Sequence, residues 1–259
     1  MCRLLGLVAN KPVDLSFSLG KFGDHAAKNP DGWGIAWWTH FKGWEIRKEP
    51  YRADTSEHYK HVSVEAKGQV FVCHVRFATI GEKKMENTHP FRHGDWVFAH
   101  NGSLDREKLL GLLRKSYRQC LRGETDSETF FLWILQNIEG CDHTLNGIRS
   151  AIRGVQDLTL SSLNFLLANG PELYVFRHAT QKPNYYTLFY LVRDGTMTSP
   201  LQASSHELPA LLKSKRLAGE RAVLVCSEQL TDETWTPVEQ GTLLVIDGAN
   251  LSVKSYPVL

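Results

Sequence analysis

Apolar positions along the chain fall into short blocks separated by turn residues. Leu4-Leu5-Gly6-Leu7-Val8-Ala9 is a continuous apolar run closed by Asn10-Lys11-Pro12, the pattern of a buried strand. A helical stretch is predicted around Phe17–Ala27. Asn29-Pro30-Asp31-Gly32-Trp33-Gly34 then marks a tight turn into a strand over Ile35–Thr39, and a second strand, Trp44–Lys48, pairs with it across His40–Gly43. Val70–Ala78 begins as a buried strand, and Trp96–Ala99 is another that leads into Asn101-Gly102. Helices are predicted over Arg106–Tyr117, Phe130–Ile138 and Leu145–Arg153; Thr125 and Glu128 have the spacing of a capping box ahead of the second. The second half reads as strands at Leu163–Asn169, Leu173–Arg177, Thr187–Arg193, Ala222–Cys226, Thr242–Asp247 and Leu251–Tyr256, with a short helix at Glu207–Lys215.

Composition narrows the class. A chain of 259 residues with 42% hydrophobic and 22% charged residues can bury a sizeable core, and no repeat or linker-like break divides it, so one domain over residues 1–259 is expected. The net charge of +2, without a basic block, does not suggest a nucleic-acid or membrane partner. The first apolar run is too short for a signal-peptide core or a membrane span. Five scattered cysteines with no Cys-x-x-Cys argue against a disulfide framework and a cysteine-based metal site, and they fit a reducing, cytoplasmic location.

Candidate chemistry starts at the first residues. Removal of Met1 makes Cys2 the terminal residue, uniting a thiolate nucleophile with a free α-amine of near-neutral pKa as its base. Arg76 ends a strand and presents a bidentate fork suited to a carboxylate or to a salt bridge. Cys73 and His74 are adjacent on a strand and point to opposite faces, which excludes a dyad between them. Asn101-Gly102 reads either as a hairpin turn or as a two-donor oxyanion hole. Asp126, at a helix start, serves the helix dipole or receives an ammonium group. Trp33, Trp37, Trp38 and Trp44 form an aromatic group suited to core packing or to pocket walls.

Met1-Cys2, His74-Val75-Arg76-Phe77-Ala78-Thr79-Ile80-Gly81, Asn87-Thr88-His89-Pro90, His100-Asn101-Gly102 and Glu124-Thr125-Asp126-Ser127-Glu128 stand in that order. Together they resemble the class II, N-terminal-nucleophile glutamine amidotransferases. Asn29 to Gly34 and Ser227-Glu228-Gln229-Leu230-Thr231 resemble its small stand-alone YafJ-type branch. The resemblance implies an α+β fold of four αββα layers, with two antiparallel sheets between helix layers. It implies Cys2 as nucleophile with its own α-amine as base, and Asn101 and Gly102 as oxyanion donors. Arg76 is implied for the α-carboxylate of glutamine, Asp126 for its α-ammonium, and Thr79 for nearby polar contacts. The substrate implied is glutamine or a γ-glutamyl compound, with no cofactor and no metal, and a separate ammonia-accepting synthase as partner. Trp33, His74 and His89 are the candidates for the leaving-group side. Many synthase-fused members carry His where this chain has Ile80, so the resemblance does not extend to the contact that His makes. Two other readings are weighed: a non-catalytic glutamine-sensing or binding subunit, and a metal hydrolase on His74, His89, His93 and His100, which lacks a zinc-type spacing.

Overall fold

A computed structural model describes residues 2–194 and 221–259, so the helix expected at Glu207–Lys215 lies outside the described residues. Two antiparallel sheets stack face to face between helices. Among the described residues the first has seven strands. It is built on β1 (Arg3–Asp14) at its middle, flanked by β4 (Lys67–Val75) and β10 (Ala222–Cys226). Outward from β4 lie β2 (Trp33–Thr39) and β3 (Gly43–Glu49); outward from β10 lie β9 (Phe189–Arg193) and the short β11 (Thr236–Pro237). The second sheet has six strands in the order β13 (Val253–Pro257), β12 (Thr242–Ile246), β8 (Glu172–Arg177), β7 (Leu160–Asn169), β6 (Trp96–Leu104) and β5 (Phe91–His93).

Period-two alternation sorts each strand between two cores. On β1, Leu4 and Val8 face the second sheet, where they meet Val97, Ala99, Leu166, Leu173 and Val175. Leu5 and Leu7 face the other way, under α1 (Ser16–Asp24) and α2 (Glu57–Glu65), against Leu19, Phe22, Tyr59 and Val62. The outer face of the second sheet is covered by α3 (Arg106–Leu112), α4 (Lys115–Arg118), α5 (Asp126–Glu139) and α6 (Thr144–Arg153). Phe98 and Phe131 stack there with ring centroids 5.1 Å apart. The layers therefore run αββα.

Several boundaries differ from the sequence expectation for identifiable reasons. Strand β1 continues through Asn10-Lys11-Pro12 because its register with β4 shifts between Val8 and Val13, so Pro12 owes the ladder no N–H. Asn101-Gly102 is not a turn: both residues lie inside β6 and pair with Asn164 and Leu163 on β7. The helix expected over Arg106–Tyr117 is two helices, α3 and α4. Gln136 of α5 caps the break, accepting the Arg114 N–H at 2.7 Å and donating to the Leu112 carbonyl at 3.1 Å. Helix α2 was not anticipated, although Ser56 caps it by accepting the Tyr59 N–H at 2.9 Å.

Candidate active site

The first residues of β1 are pinned on both sides. Arg3 Nε donates to Glu228 at 2.7 Å, the Leu4 N–H donates to the Ser227 hydroxyl at 2.9 Å, and the Ser227 N–H returns to the Leu4 carbonyl at 3.0 Å. A terminus that would otherwise fray is thus held from residue 3 onward. Cys2 precedes this clamp, and its parity puts it on the inter-sheet side with Leu4. Its sulfur accepts the Phe77 N–H at 3.2 Å and lies 3.3 Å from the Phe77 carbonyl. Burial pushes the Cys2 thiol above its ordinary pKa, opposed by the Phe77 N–H and by the positive charge of Arg76.

The end of β4 and the loop after it are laced from both ends. Asp31 donates its N–H to the Arg76 carbonyl at 3.0 Å, and the Arg76 N–H donates to the Gly32 carbonyl at 2.7 Å. The Asp31 carboxylate accepts the Ala78 N–H at 2.8 Å and pairs with Lys83 at 2.5 Å. Arg76 is buried, and its guanidinium donates to the carbonyls of Ile80, Gly81 and Glu82 at 3.0 to 3.2 Å. Burial lowers the Arg76 pKa, while Cys2, Asp31 and Asp126 lie close enough to favour its charged form. Thr79 is exposed on this loop.

The second sheet supplies the opposite wall. Asn101, buried on β6, donates its side-chain amide to the Cys2 carbonyl at 3.0 Å. Gly102 follows where no side chain fits: a Cβ there would stand 1.9 Å from the Ser162 carbonyl oxygen on β7. On the helix side of β6, His100 Nδ1 meets the Ser127 hydroxyl at 2.9 Å and Nε2 meets the Ser162 carbonyl at 3.2 Å. Thr125 caps α5 by accepting the Glu128 N–H at 3.1 Å. Glu128 does not complete a capping box, because its carboxylate accepts the N–H groups of Arg122 and Gly123 instead. Asp126 is buried at the first turn of α5 and joins the helix to β6, accepting the Leu104 N–H and the Ser127 N–H at 2.8 Å each.

The three residues expected on the leaving-group side, Trp33, His74 and His89, are all buried. Trp33 is fully buried on the outer face of the first sheet, edge-on to His58 and Tyr59, with its indole N–H on Glu49 at 3.1 Å. Strand alternation aims it away from Cys2, so its place is in the core rather than the pocket wall. His74 and His89 are buried between the sheets with ring centroids 4.1 Å apart. Burial depresses both, His74 to about 3, with Arg76 and His100 adding repulsion. They are a neutral packed pair behind Arg76. Conversely, Asp31, Ser227 and Glu228 hold the loop after Arg76 and the start of β1, although their motifs entered the sequence analysis only as a turn and a branch resemblance. Among the described residues no cluster of three His, Cys, Asp or Glu side chains is placed to hold a metal ion, and no helix is long and apolar enough to cross a membrane.

A thiol at the start of a central strand, an amide donor from the facing sheet and one buried charge of each sign converge at one end of an αββα sandwich. The chain matches the family "Glutamine amidotransferases class-II" over residues 1–257, and it belongs to that family of enzymes. It is 38% identical to the "Putative glutamine amidotransferase YafJ" of Escherichia coli over 146 residues, which are 53% of this chain and 55% of that protein. It is 36% identical over 90 residues to the gamma-glutamyl-hercynylcysteine sulfoxide hydrolase of Mycobacterium tuberculosis, 33% of this chain and 36% of that one. The match thus spans about half or less of each of these curated relatives. Among solved structures, a glutamine aminotransferase class-II domain protein of Silicibacter pomeroyi superposes with a TM-score of 0.67 at 19% identity, covering 99% of both chains. The glutamine phosphoribosylpyrophosphate amidotransferase of B. subtilis gives 0.67 at 19% identity, over all of this chain and 49% of that one. These two share the fold.

Proposed function

We propose that this protein, once Met1 is removed, hydrolyses the γ-amide of glutamine or of a γ-glutamyl compound through a thioester on Cys2. The observation that carries the reading is the Asn101 side-chain amide on the Cys2 carbonyl at 3.0 Å, with Arg76 and Asp126 both buried nearby. Arg76 takes the α-carboxylate, exchanging the loop carbonyls it now holds for a carboxylate of the same fork geometry. Asp126 takes the α-ammonium with the acceptor capacity its two N–H partners leave. Fixing both charges sets side-chain length as the measure that brings the γ-carbonyl to Cys2.

Because burial favours the neutral thiol, its proton passes to the Cys2 α-amine as sulfur attacks the γ-carbonyl carbon. The carbonyl electron pair moves onto oxygen, where the Asn101 side chain and the Gly102 N–H receive it. Collapse breaks the carbon–nitrogen bond, the α-amine returns the proton to the leaving nitrogen, and ammonia or an amine departs. Water, deprotonated by the same amine, attacks the thioester and releases glutamate. With glutamine as substrate, the ammonia would pass to a separate synthase. All five cysteines are free thiols, in keeping with a reducing cytoplasm.

A γ-glutamyl amide of a larger amine is the second reading, favoured by the similarity to the mycobacterial γ-glutamyl hydrolase. The experiment is glutamate release from glutamine and from γ-glutamyl dipeptides by protein whose intact mass shows Met1 removed, with Cys2→Ala as control. Turnover lost in the control supports the reading. Substrate binding without turnover by the processed protein would leave a sensor.

A further inference from the structure

An α-amino acid carries its carboxylate and its ammonium on one carbon, so a site that holds both needs its cation and its anion at one fixed separation. Arg76 and Asp126 come from different layers. Arg76 follows β4 of the first sheet, whereas Asp126 opens α5, which covers the outer face of the second. Their separation is therefore set by whatever ties the loop after β4 to the start of α5.

Asn87 makes that tie. It is fully buried, at the end of the short turn Met85–Asn87 between β4 and β5. Its Nδ2 donates to the Glu82 carbonyl at 3.1 Å, the oxygen that also accepts from the Arg76 guanidinium at 3.2 Å. Its Oδ1 accepts the Glu124 N–H at 2.8 Å, two residues before Asp126. Glu124 in turn belongs to the frame of α5, because the neighbouring Gly123 N–H donates to Glu128 at 2.7 Å and Thr125 caps the first turn. Glycines leave room for the amide on both sides. A Cβ at Gly81 would stand 2.8 Å from Asn87 Nδ2, and one at Gly123 would stand 2.4 Å from Oδ1. When a carboxylate takes over the Arg76 guanidinium, the Glu82 carbonyl keeps its Asn87 donor and the loop stays tied to α5. The ion pair of Lys84 with Glu124 crosses the same gap, but both side chains are partly exposed and such a pair holds weakly.

We propose that Asn87 is a positioning residue for the substrate head, fixing the Arg76 loop against α5 so that the carboxylate and the ammonium of one α-carbon are received together. The proposal rests on the roles given to Arg76 and Asp126 above.

The test is calorimetric binding to Cys2→Ala of glutamine, of glutaramic acid, which lacks the α-amine, and of γ-aminobutyramide, which lacks the α-carboxylate. Adding Asn87→Ala should weaken glutamine about tenfold and each one-charge analogue less than about twofold, because only the joint fit is lost. Adding Lys84→Ala instead should leave all three within about twofold. The isosteric Asn87→Asp keeps the acceptor for Glu124 and loses the donor to Glu82; it should show the same selective loss, and it carries the test if Asn87→Ala does not fold. Parallel weakening of all three ligands, or glutamine binding that is unchanged, overturns the proposal. So does an equal selective loss in Lys84→Ala, which would assign the hold to the ion pair. Turnover by the processed protein separates this from the hydrolase reading. Selective loss in a protein that hydrolyses nothing keeps the positioning role and removes the hydrolase, whereas active hydrolysis with no selective loss removes the positioning role alone.

Discussion

The Asn101 side-chain amide donates to the carbonyl oxygen of Cys2 at 3.0 Å, across 99 residues of sequence and from one sheet to the other. That bond fixes the Asn101 amide against the main chain of Cys2, and on the proposed function its second N–H is the one offered to the oxyanion.

Asn101→Ala should therefore lower kcat by roughly 10²–10³ with a smaller effect on KM. Steady-state glutamate release, with thermal melting to confirm the fold, measures it. A loss confined to KM would show that Asn101 binds substrate without stabilising the transition state.

Asp31 holds the loop after Arg76 through two contacts of unequal worth. The pair with Lys83 is exposed on the lysine side and contributes at most about 1 kcal/mol. The Ala78 N–H bond is more enclosed, and losing its acceptor costs about 1–3 kcal/mol. Lys83→Ala should leave stability nearly unchanged, whereas Asp31→Ala should lower the melting temperature and raise KM. Equal effects of the two substitutions would assign the hold to the ion pair.

Gly102→Ala should be more damaging than its single methyl suggests. The new Cβ would fall 1.9 Å from the Ser162 carbonyl oxygen, so β6 must move off β7 where it carries Asn101. The expectation is a loss of at least about tenfold in kcat with a destabilisation of about 1–3 kcal/mol. Retained wild-type kinetics would show that the strands part without disturbing the donor.

Burial of His74 and His89 should make stability pH-dependent. In the unfolded chain each takes a proton near pH 6.5, while in the folded protein burial holds both below that value, His74 to about 3. Between those limits the unfolded state binds more protons, so stability is greatest above pH 6.5 and falls as pH drops below it. The slope approaches about 1.4 kcal/mol per pH unit for each histidine. Urea unfolding at pH 7.5 and pH 5 measures it. His89→Phe should reduce the slope, and an unaltered slope would place the titration on other groups.

How much of this was legible from residue order depends on whether the deciding contact was local. The strand over Ala222–Cys226 has the same bounds in the structure as in the sequence, because a short apolar run between polar residues has few other homes. Thr125 caps α5 as its spacing required, since a cap needs only residues three apart. The break between α3 and α4 was not legible, because the groups that satisfy it belong to Gln136 on another helix. Strand alternation correctly separated Cys73 from His74, but aromatic composition could not say which face Trp33 would take; the positions of α1 and α2 decided that.

Residue types and their order by themselves determined the family, through motifs a few residues long, and the αββα layering and candidate side chains followed only as what that resemblance implies. Only the tertiary structure decided which of those side chains meet. Cys2, Asp31, Arg76, Asn101, Asp126 and Ser227 lie on different elements. Their convergence follows from a central β1 flanked by β4 and β10 and packed face to face on the second sheet, a long-range pairing that no local propensity encodes.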